Sequence, residues 1–155
     1  MKHLKYLNYL IRHKWFVLLA GLKFKAPLWR LIIHDWSKFL PYEWFPYAES
    51  FYGGYGKERP QHVKDTFDAA WNHHQKHNKH HFQYWVLIED SGAAKPLEIP
   101  EKYLREMAAD WGGAGRAITS KWEVWDYYQK VKDKTLLHPK TRQRFEELLL
   151  NTRLD

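Results

Sequence analysis

The chain has 155 residues, with 25 Lys and Arg against 18 Asp and Glu for a formal charge of +7, ten His, nine Trp and no cysteine. That length suits one domain with a sizeable core, and the missing thiols exclude disulfides, thiolate zinc sites and a cysteine nucleophile. A transition metal would therefore be held by nitrogen and oxygen ligands, while the charge attracts polyanions (nucleic acid, nucleotides or an anionic membrane surface) and also keeps an aromatic-rich domain in solution.

Leu4, Leu7, Leu10, Ile11, Trp15, Leu18 and Leu22 recur at intervals of three and four, which predicts a helix from about residue 3 to 23 with this stripe facing the core. His13 lies on a neighbouring line with Tyr6, Tyr9, Phe16 and Ala20. From Trp15 onward the helix is apolar nearly all round, so it is expected to be central and His13 to be buried. The apolar run Trp15 to Leu22 is too short to span a bilayer. As a signal peptide it is a poor match, because Arg12-His13-Lys14 interrupts the approach, and the expected compartment is the cytoplasm.

Pro27 suits the first turn of a second helix to about Phe39, and Pro41 discourages its continuation. A third helix is predicted over Tyr42 to Phe51, ending at Gly53-Gly54-Tyr55-Gly56. Pro60 opens a fourth through about Asn78, in which His62, Ala69 and His73 fall close to one line. Phe82 to Ile88 reads as a short strand that can pair with Pro96 to Pro100 in a small hairpin. Pro100 starts a helix through about Asp110 or Trp111, which Gly112-Gly113-Ala114-Gly115 loosens or breaks. Ser120-Lys121-Trp122-Glu123 has the form of a capping box opening a helix to about Lys134, and Pro139 opens the last. The expected architecture is an all-α, single-domain bundle of six or seven helices over residues 1–155, with a small β-hairpin near residues 82–99.

Within that frame His34-Asp35 sets an imidazole and a carboxylate side by side after the apolar run Leu31-Ile32-Ile33. Burying both costs several kcal/mol unless something compensates, and a divalent cation is a strong compensator. The bland alternative is a helix end in which Asp35 caps or pairs with Lys38 and His34 is a hydrogen-bonded core residue. The bland alternative for Asp110 is a helix end before the glycines, with Asp90 in a turn as the other candidate carboxylate; Tyr103, Leu104, Met107 and Trp111, which give its helix a buried face, favour Asp110. Gln75 to His81 contains Lys76, Asn78 and Lys79 and reads as a solvated face, which makes His80 and His81 the weakest ligand candidates unless the loop folds inward. Glu43 and Glu49 are free carboxylates one helix beyond the pair.

The order His13, then His34-Asp35, then His62, His73 and His74, then Asp110 resembles the HD-domain superfamily of metal-dependent phosphohydrolases. The resemblance implies an HD-like helical domain in which His13, His34, Asp35 and Asp110 hold a first divalent ion. Asp35 would bridge to a second ion, toward which His62, His73 and His74 are the matching histidines. His34-Asp35-Trp36-Ser37-Lys38 is similar to the H-D-x-G-K of cyclic-dinucleotide phosphodiesterases and of the inositol-oxygenase branch, with Ser37 where glycine is usual. His73-His74-Gln75 is similar to H-H-E, without the Gly-Tyr-Pro that follows it. His34 to Phe39, Ala70 to Gln75 and Ala109 to Arg116 are also similar to a short, often phage-encoded family of uncharacterised function, for which the compartment would be a host's cytoplasm.

The activity so implied is hydrolysis of a nucleotide or related phosphate ester by metal-activated water, with Lys38 and Arg116 on the phosphoryl oxygens. The cofactor would be one or two divalent ions among Mn, Fe, Co, Ni, Zn and Mg, nitrogen ligation arguing against Mg alone. The partner would be a small anionic, phosphate-containing substrate, with nucleic acid as a further one and no membrane; the oligomeric state has no signature in the sequence. Two other functions fit the same residues: an HD-type di-iron oxygenase of a small anionic substrate, and a non-enzymatic basic module that binds nucleic acid or a partner through surface histidines.

Overall fold

The computed structural model describes residues 1–56 and 58–154. Its helices are α1 (Lys2–Lys23), α2 (Leu28–Ile33), α3 (Pro41–Tyr52), α4 (Gln61–His77), α5 (Glu101–Thr119), α6 (Val124–Val131) and α7 (Pro139–Asn151). The strands β1 (Val86–Ile88) and β2 (Ala94–Pro96) form one antiparallel hairpin with Val86 opposite Pro96 and Ile88 opposite Ala94. The all-α bundle and a small hairpin match the reading of the sequence, although Phe82–Trp85, expected as strand, is a turn of 3-10 helix and the second strand is Ala94–Pro96 instead of Pro96 to Pro100.

Two apolar cores meet along α1. Tyr6 and Leu10 pack with Tyr47 and Ala48 of α3 and Ala70 of α4. Val17, Ala20 and Phe24 pack with α5, α6 and α7 through Leu104, Met107, Ala108, Tyr128, Phe145 and Leu149. Between Leu10 and Val17 on the same face of α1 comes His13, also buried. The seam between the cores is therefore where buried polar side chains collect.

The buried face of α1 is Tyr6, Leu10, His13, Val17, Ala20 and Gly21, which keeps Leu10 of the expected stripe, with Leu18 half-buried beside the core. Leu4, Ile11, Trp15 and Leu22 are exposed. The helix is turned so that its small residues meet α5, and hydrophobicity alone could not show that. A Cβ added to Gly113 would lie 2.6 Å from the Val17 backbone nitrogen, and one on Gly112 would lie 2.8 Å from Leu154 Cδ1. The glycines expected to end α5 are thus its surface of closest approach to α1, and the helix runs on to Thr119. Each interior glycine costs a helix up to about 1 kcal/mol, which the tight crossing offsets.

Two further expectations are corrected. Ser120 does not open α6 as a capping box; it closes α5 in the left-handed conformation (φ 63°), and α6 starts at Val124. The second helix stops at Ile33 instead of continuing to Phe39. His34 leaves the helix (ψ 131°), Asp35 is left-handed (φ 55°), and a 3-10 turn follows over Trp36–Phe39. Asp is among the residues that tolerate this conformation best, and the break turns both His34 and Asp35 into the seam.

Gly113→Ala should destabilise the fold by about 1–3 kcal/mol through overpacking against α1. Gly115, whose added Cβ meets nothing within 4 Å, should instead gain about 0.5–1 kcal/mol on Gly115→Ala from helix propensity. Urea unfolding of both variants checks the pair; equal effects would contradict the described crossing.

Candidate metal centre

Five elements deliver side chains to the seam. His13 comes from α1, His34 and Asp35 from the break after α2, His74 from the last turn of α4, His80 and His81 from the loop after it, and Glu106 and Asp110 from α5. All are buried, His34, Asp35, His74, His80 and Glu106 to within 1 %.

Asp35 is the hub. On one side, His13 Nε2 lies 3.1 Å from Asp35 Oδ2 and 3.3 Å from Asp110 Oδ1. His34 Nε2 lies 3.3 Å from Asp110 Oδ1, 3.5 Å from Asp35 Oδ2 and 3.4 Å from His13 Nε2. Nitrogen and oxygen ligands at about 2.1 Å from a cation stand about 3.0 Å apart along an octahedral edge and about 3.4 Å along a tetrahedral one. These five separations are close to those values, and all four residues offer ligand atoms within 4.8 Å of one another.

On the other side, His74 Nε2 and His80 Nε2 lie 3.2 and 3.4 Å from Asp35 Oδ1. None of these three atoms has a hydrogen-bond partner, because the directions are wrong despite the short distances, and buried His81 Nε2 is unpartnered too. Asp35, His74, His80 and His81 offer ligand atoms within 4.8 Å of one another, as do His13, His34, Asp35 and Asp110. Buried polar atoms without partners are rare and costly, and so many converging on one carboxylate oxygen form a donor set lacking its acceptor.

A second layer of carboxylates fixes the rings from behind. Glu106 Oε1 is 3.1 Å from His34 Nδ1 and 3.2 Å from His80 Nδ1, the latter off the line of a hydrogen bond, while Arg30 Nε donates to Glu106 Oε2 at 2.6 Å. Glu106, His34 and His80 also satisfy the spacing of a ligand group. Their contact runs through the outward Nδ1 atoms, so Glu106 is better understood as aiming the two Nε2 atoms inward. Glu43 does the same for His74, with Oε2 2.8 Å from Nδ1, and Ser37 Oγ donates to that oxygen at 3.0 Å. The serine that departs from the H-D-x-G-K pattern is therefore part of the brace behind His74.

Four buried carboxylates, Asp35, Glu43, Glu106 and Asp110, face two fixed cations, Lys38 (2.6 Å from Asp35 Oδ2) and Arg30. With neutral imidazoles these six groups leave the centre two charges negative, which favours bound cations. Burial alone would raise the Asp35 and Asp110 carboxyls, but neighbouring imidazoles, and Lys38 for Asp35, hold both well below the usual range. Glu106, likewise opposed by burial, is brought to about 2 by His34 and His80. Burial would lower His13, His34 and His80, yet the carboxylates win and raise all three. His81, buried beside His80 with no carboxylate of its own, is pushed well below the ordinary imidazole value.

Of the residues singled out in the sequence, His13, His34, Asp35, His74 and Asp110 converge, and Lys38 touches Asp35. His62, His73 and Arg116 do not join them. His62 is exposed in the first turn of α4, twelve residues and so about 18 Å along the helix from His74. The inward line of α4 is Val63, Ala70 and His74, one residue round from the line expected. His73 hydrogen-bonds Glu43 Oε1 at 2.8 Å with its ring stacked on His77, outside the cluster. Arg116 lies over Phe16 and Trp122, because α5 continues past its glycines and carries it round to the other flank of α1. Asp90 is exposed in the hairpin turn. His80 and His81 were read as part of a solvated stretch, but the loop folds inward: Trp85 Nε1 ties down the Lys79 carbonyl at 2.8 Å, and His81 lies edge-on to Trp71. Glu106 was missed, and its only sequence signal was its position one helical turn before Asp110.

Two cavities flank the centre, sharing Trp71 and Ile118 as a common wall. One, of about 700 Å³, holds Lys38, Lys5 and Arg12 among tyrosines and has no carboxylate in its lining. The other, of about 460 Å³, reaches His81 and Asp110 beneath Trp111 and carries Glu123 and Asp126.

Fold and site together define a helical bundle built round a buried carboxylate–imidazole centre. The chain belongs to a family of unknown function (DUF5662), whose model matches residues 2–151. No curated protein and no solved structure matches it.

Mn(II) or Co(II) should raise the melting temperature and a chelator reverse this, by about 2.7 kcal/mol at a hundredfold excess over Kd. Imidazoles ligate only when deprotonated, and His13, His34 and His80 are raised, so apparent affinity should climb as pH rises above the ordinary imidazole value and fall below it. Thermal melts across pH check both; an unchanged melting temperature would refute metal binding. Glu106→Gln, which keeps the shape but loses the charge behind His34 and His80, should weaken metal affinity about 10–100-fold by calorimetric titration.

Proposed function

We propose that the chain is a metal-dependent phosphohydrolase acting on a nucleotide or related phosphate ester, within the HD-type class its histidine and aspartate order resembles. The observation that carries this reading is the set of buried ligand atoms gathered about both oxygens of Asp35, with Oδ1 and the nearby Nε2 atoms of His74, His80 and His81 left unpartnered. His13, His34, Asp35 and Asp110 would hold one divalent ion, and Asp35, His74, His80 and His81 a second. Five imidazoles favour a borderline ion such as Mn, Fe, Co, Ni or Zn over Mg. When bound, such ions supply positive charge for phosphoryl oxygens and acidify water near neutral pH.

The chain's own groups complete the chemistry. Among the described residues Lys38 is the one cation that touches both Asp35 and the larger cavity, so it is placed to pair with a phosphoryl oxygen as negative charge builds there. Arg12 and Lys5 continue the positive lining outward, and the tyrosines and Trp71 offer ring faces to a base. Glu106 and Glu43 keep the imidazoles in one orientation, and the apolar cores on either side keep bulk water from the centre. The burial of His13, His34, His74, His80 and His81 weighs against a binding module that uses those five as surface groups, while His62 and His77 are exposed. A nitrogen-rich pair of sites sharing one carboxylate also suits the di-iron oxygenase reading, which the same assay separates.

Chain loaded with Mn(II) or Co(II) should release phosphate from at least one member of a nucleotide panel. His34→Ala should abolish the release, and Lys38→Met should cut kcat/KM by about 10²–10³, the size of one lost preorganised donor. Release that survives His34→Ala would refute the assignment. Two irons per chain with dioxygen-dependent turnover and no phosphate release would transfer it to the oxygenase.

A further inference from the structure

The helix face that the core leaves outside is apolar. Leu4, Ile11, Trp15 and Leu22 run along α1, and Trp29 and Ile32 expose the neighbouring face of α2. The two helices are joined directly: Leu31 packs on Gly21, and Lys14 Nζ donates to the Ile32 carbonyl at 3.2 Å. Contiguous exposed apolar surface of this kind marks an interaction site.

Its charge says what it meets. Residues 1–40 carry eight Lys and Arg against one acid, Asp35, which is buried in the metal centre, whereas residues 41–155 carry seventeen of each. The whole formal charge of +7 therefore belongs to the segment that exposes the apolar face. Lys5, Arg12, Lys23 and Lys25 have no acidic partner within salt-bridge reach among the described residues, and on α1 the 3.6-residue period sets Lys14 on one flank of the apolar row and Arg12, Lys5 and Lys23 on the other. An apolar row with Trp, flanked by cations, is the pattern of a helix lying in the interface of an anionic bilayer. A second copy of the chain is the poorer occupant, since a twofold contact would press two segments of like charge together. Among the described residues no helix is long and apolar enough to cross a membrane, so this face would lie on the surface.

We propose that the outer face of α1 and α2 docks the protein on anionic phospholipid surfaces, Trp15, Trp29 and Ile32 entering the headgroup region and the lysines pairing with lipid phosphates. This reverses the expectation that no membrane takes part, and it is independent of the metal centre.

Full-length protein would be sedimented with sucrose-loaded vesicles of phosphatidylcholine alone or with about 30 mol % phosphatidylserine. Expected is partition onto the anionic vesicles, at least about tenfold weaker on the neutral ones and suppressed by about 0.5 M salt. The exposed double substitution Trp29→Ala, Ile32→Glu should lose about tenfold in partition while its circular dichroism and melting temperature stay those of the parent. Leu150→Glu, exposed on α7, should partition as the parent does. No partition onto anionic vesicles, or undiminished partition of the double variant, overturns the proposal. So does a concentration-dependent dimer that the double variant dissolves, which would give the face to a second copy.

Discussion

A fully buried carboxylate must be neutralised by its surroundings, and Asp35 imposes that requirement on the whole bundle. Lys38 answers it in part at Oδ2, whereas Oδ1 faces only imidazole nitrogens that make no hydrogen bond to it. A hydrophobic residue there would be cheaper for folding alone. That such a group sits where two apolar cores meet, with Glu43 and Glu106 behind its imidazoles, is an arrangement of ligands braced by carboxylates.

Several odd local conformations serve this constraint. The left-handed backbone of Asp35 ends α2 early, so that consecutive side chains enter one site from a break that an unbroken helix would not provide. The glycines of α5 bring its axis close to α1, which is what lets Asp110 and His13 share a ligand distance of 3.3 Å. The loop after α4, held by Trp85, carries His80 and His81 back over the opening. Strain and helix propensity are given up locally, and the large interior on both sides offsets them.

The same rotation of α1 that buries His13 leaves leucine, isoleucine and tryptophan outside, on the N-terminal segment of forty residues that holds all the excess positive charge. Core and surface of this helix are therefore a single decision: Val17 and Ala20 face inward where α5 approaches closely, and Leu4, Ile11, Trp15 and Leu22 are left outside.

The sequence by itself determined the helices and most of their starts through Pro27, Pro41, Pro60, Pro100 and Pro139, because prolines act locally, and it marked His34-Asp35 as a pair costly to bury; that His13, His74 and Asp110 would meet that pair was implied by a family resemblance and not by local chemistry. It could not determine which line of α1 or α4 turned inward. The apolar period is satisfied almost equally by adjacent lines, and the choice rests on the glycine contact of α5 and on Glu43, groups far away in the chain. For the same reason His62 and His73 ranked above His80 and His81: a charged, proline-free stretch after a helix gives no local sign of folding back. Only the tertiary structure, by setting Asp35 within reach of both imidazole groups, decided which histidines count.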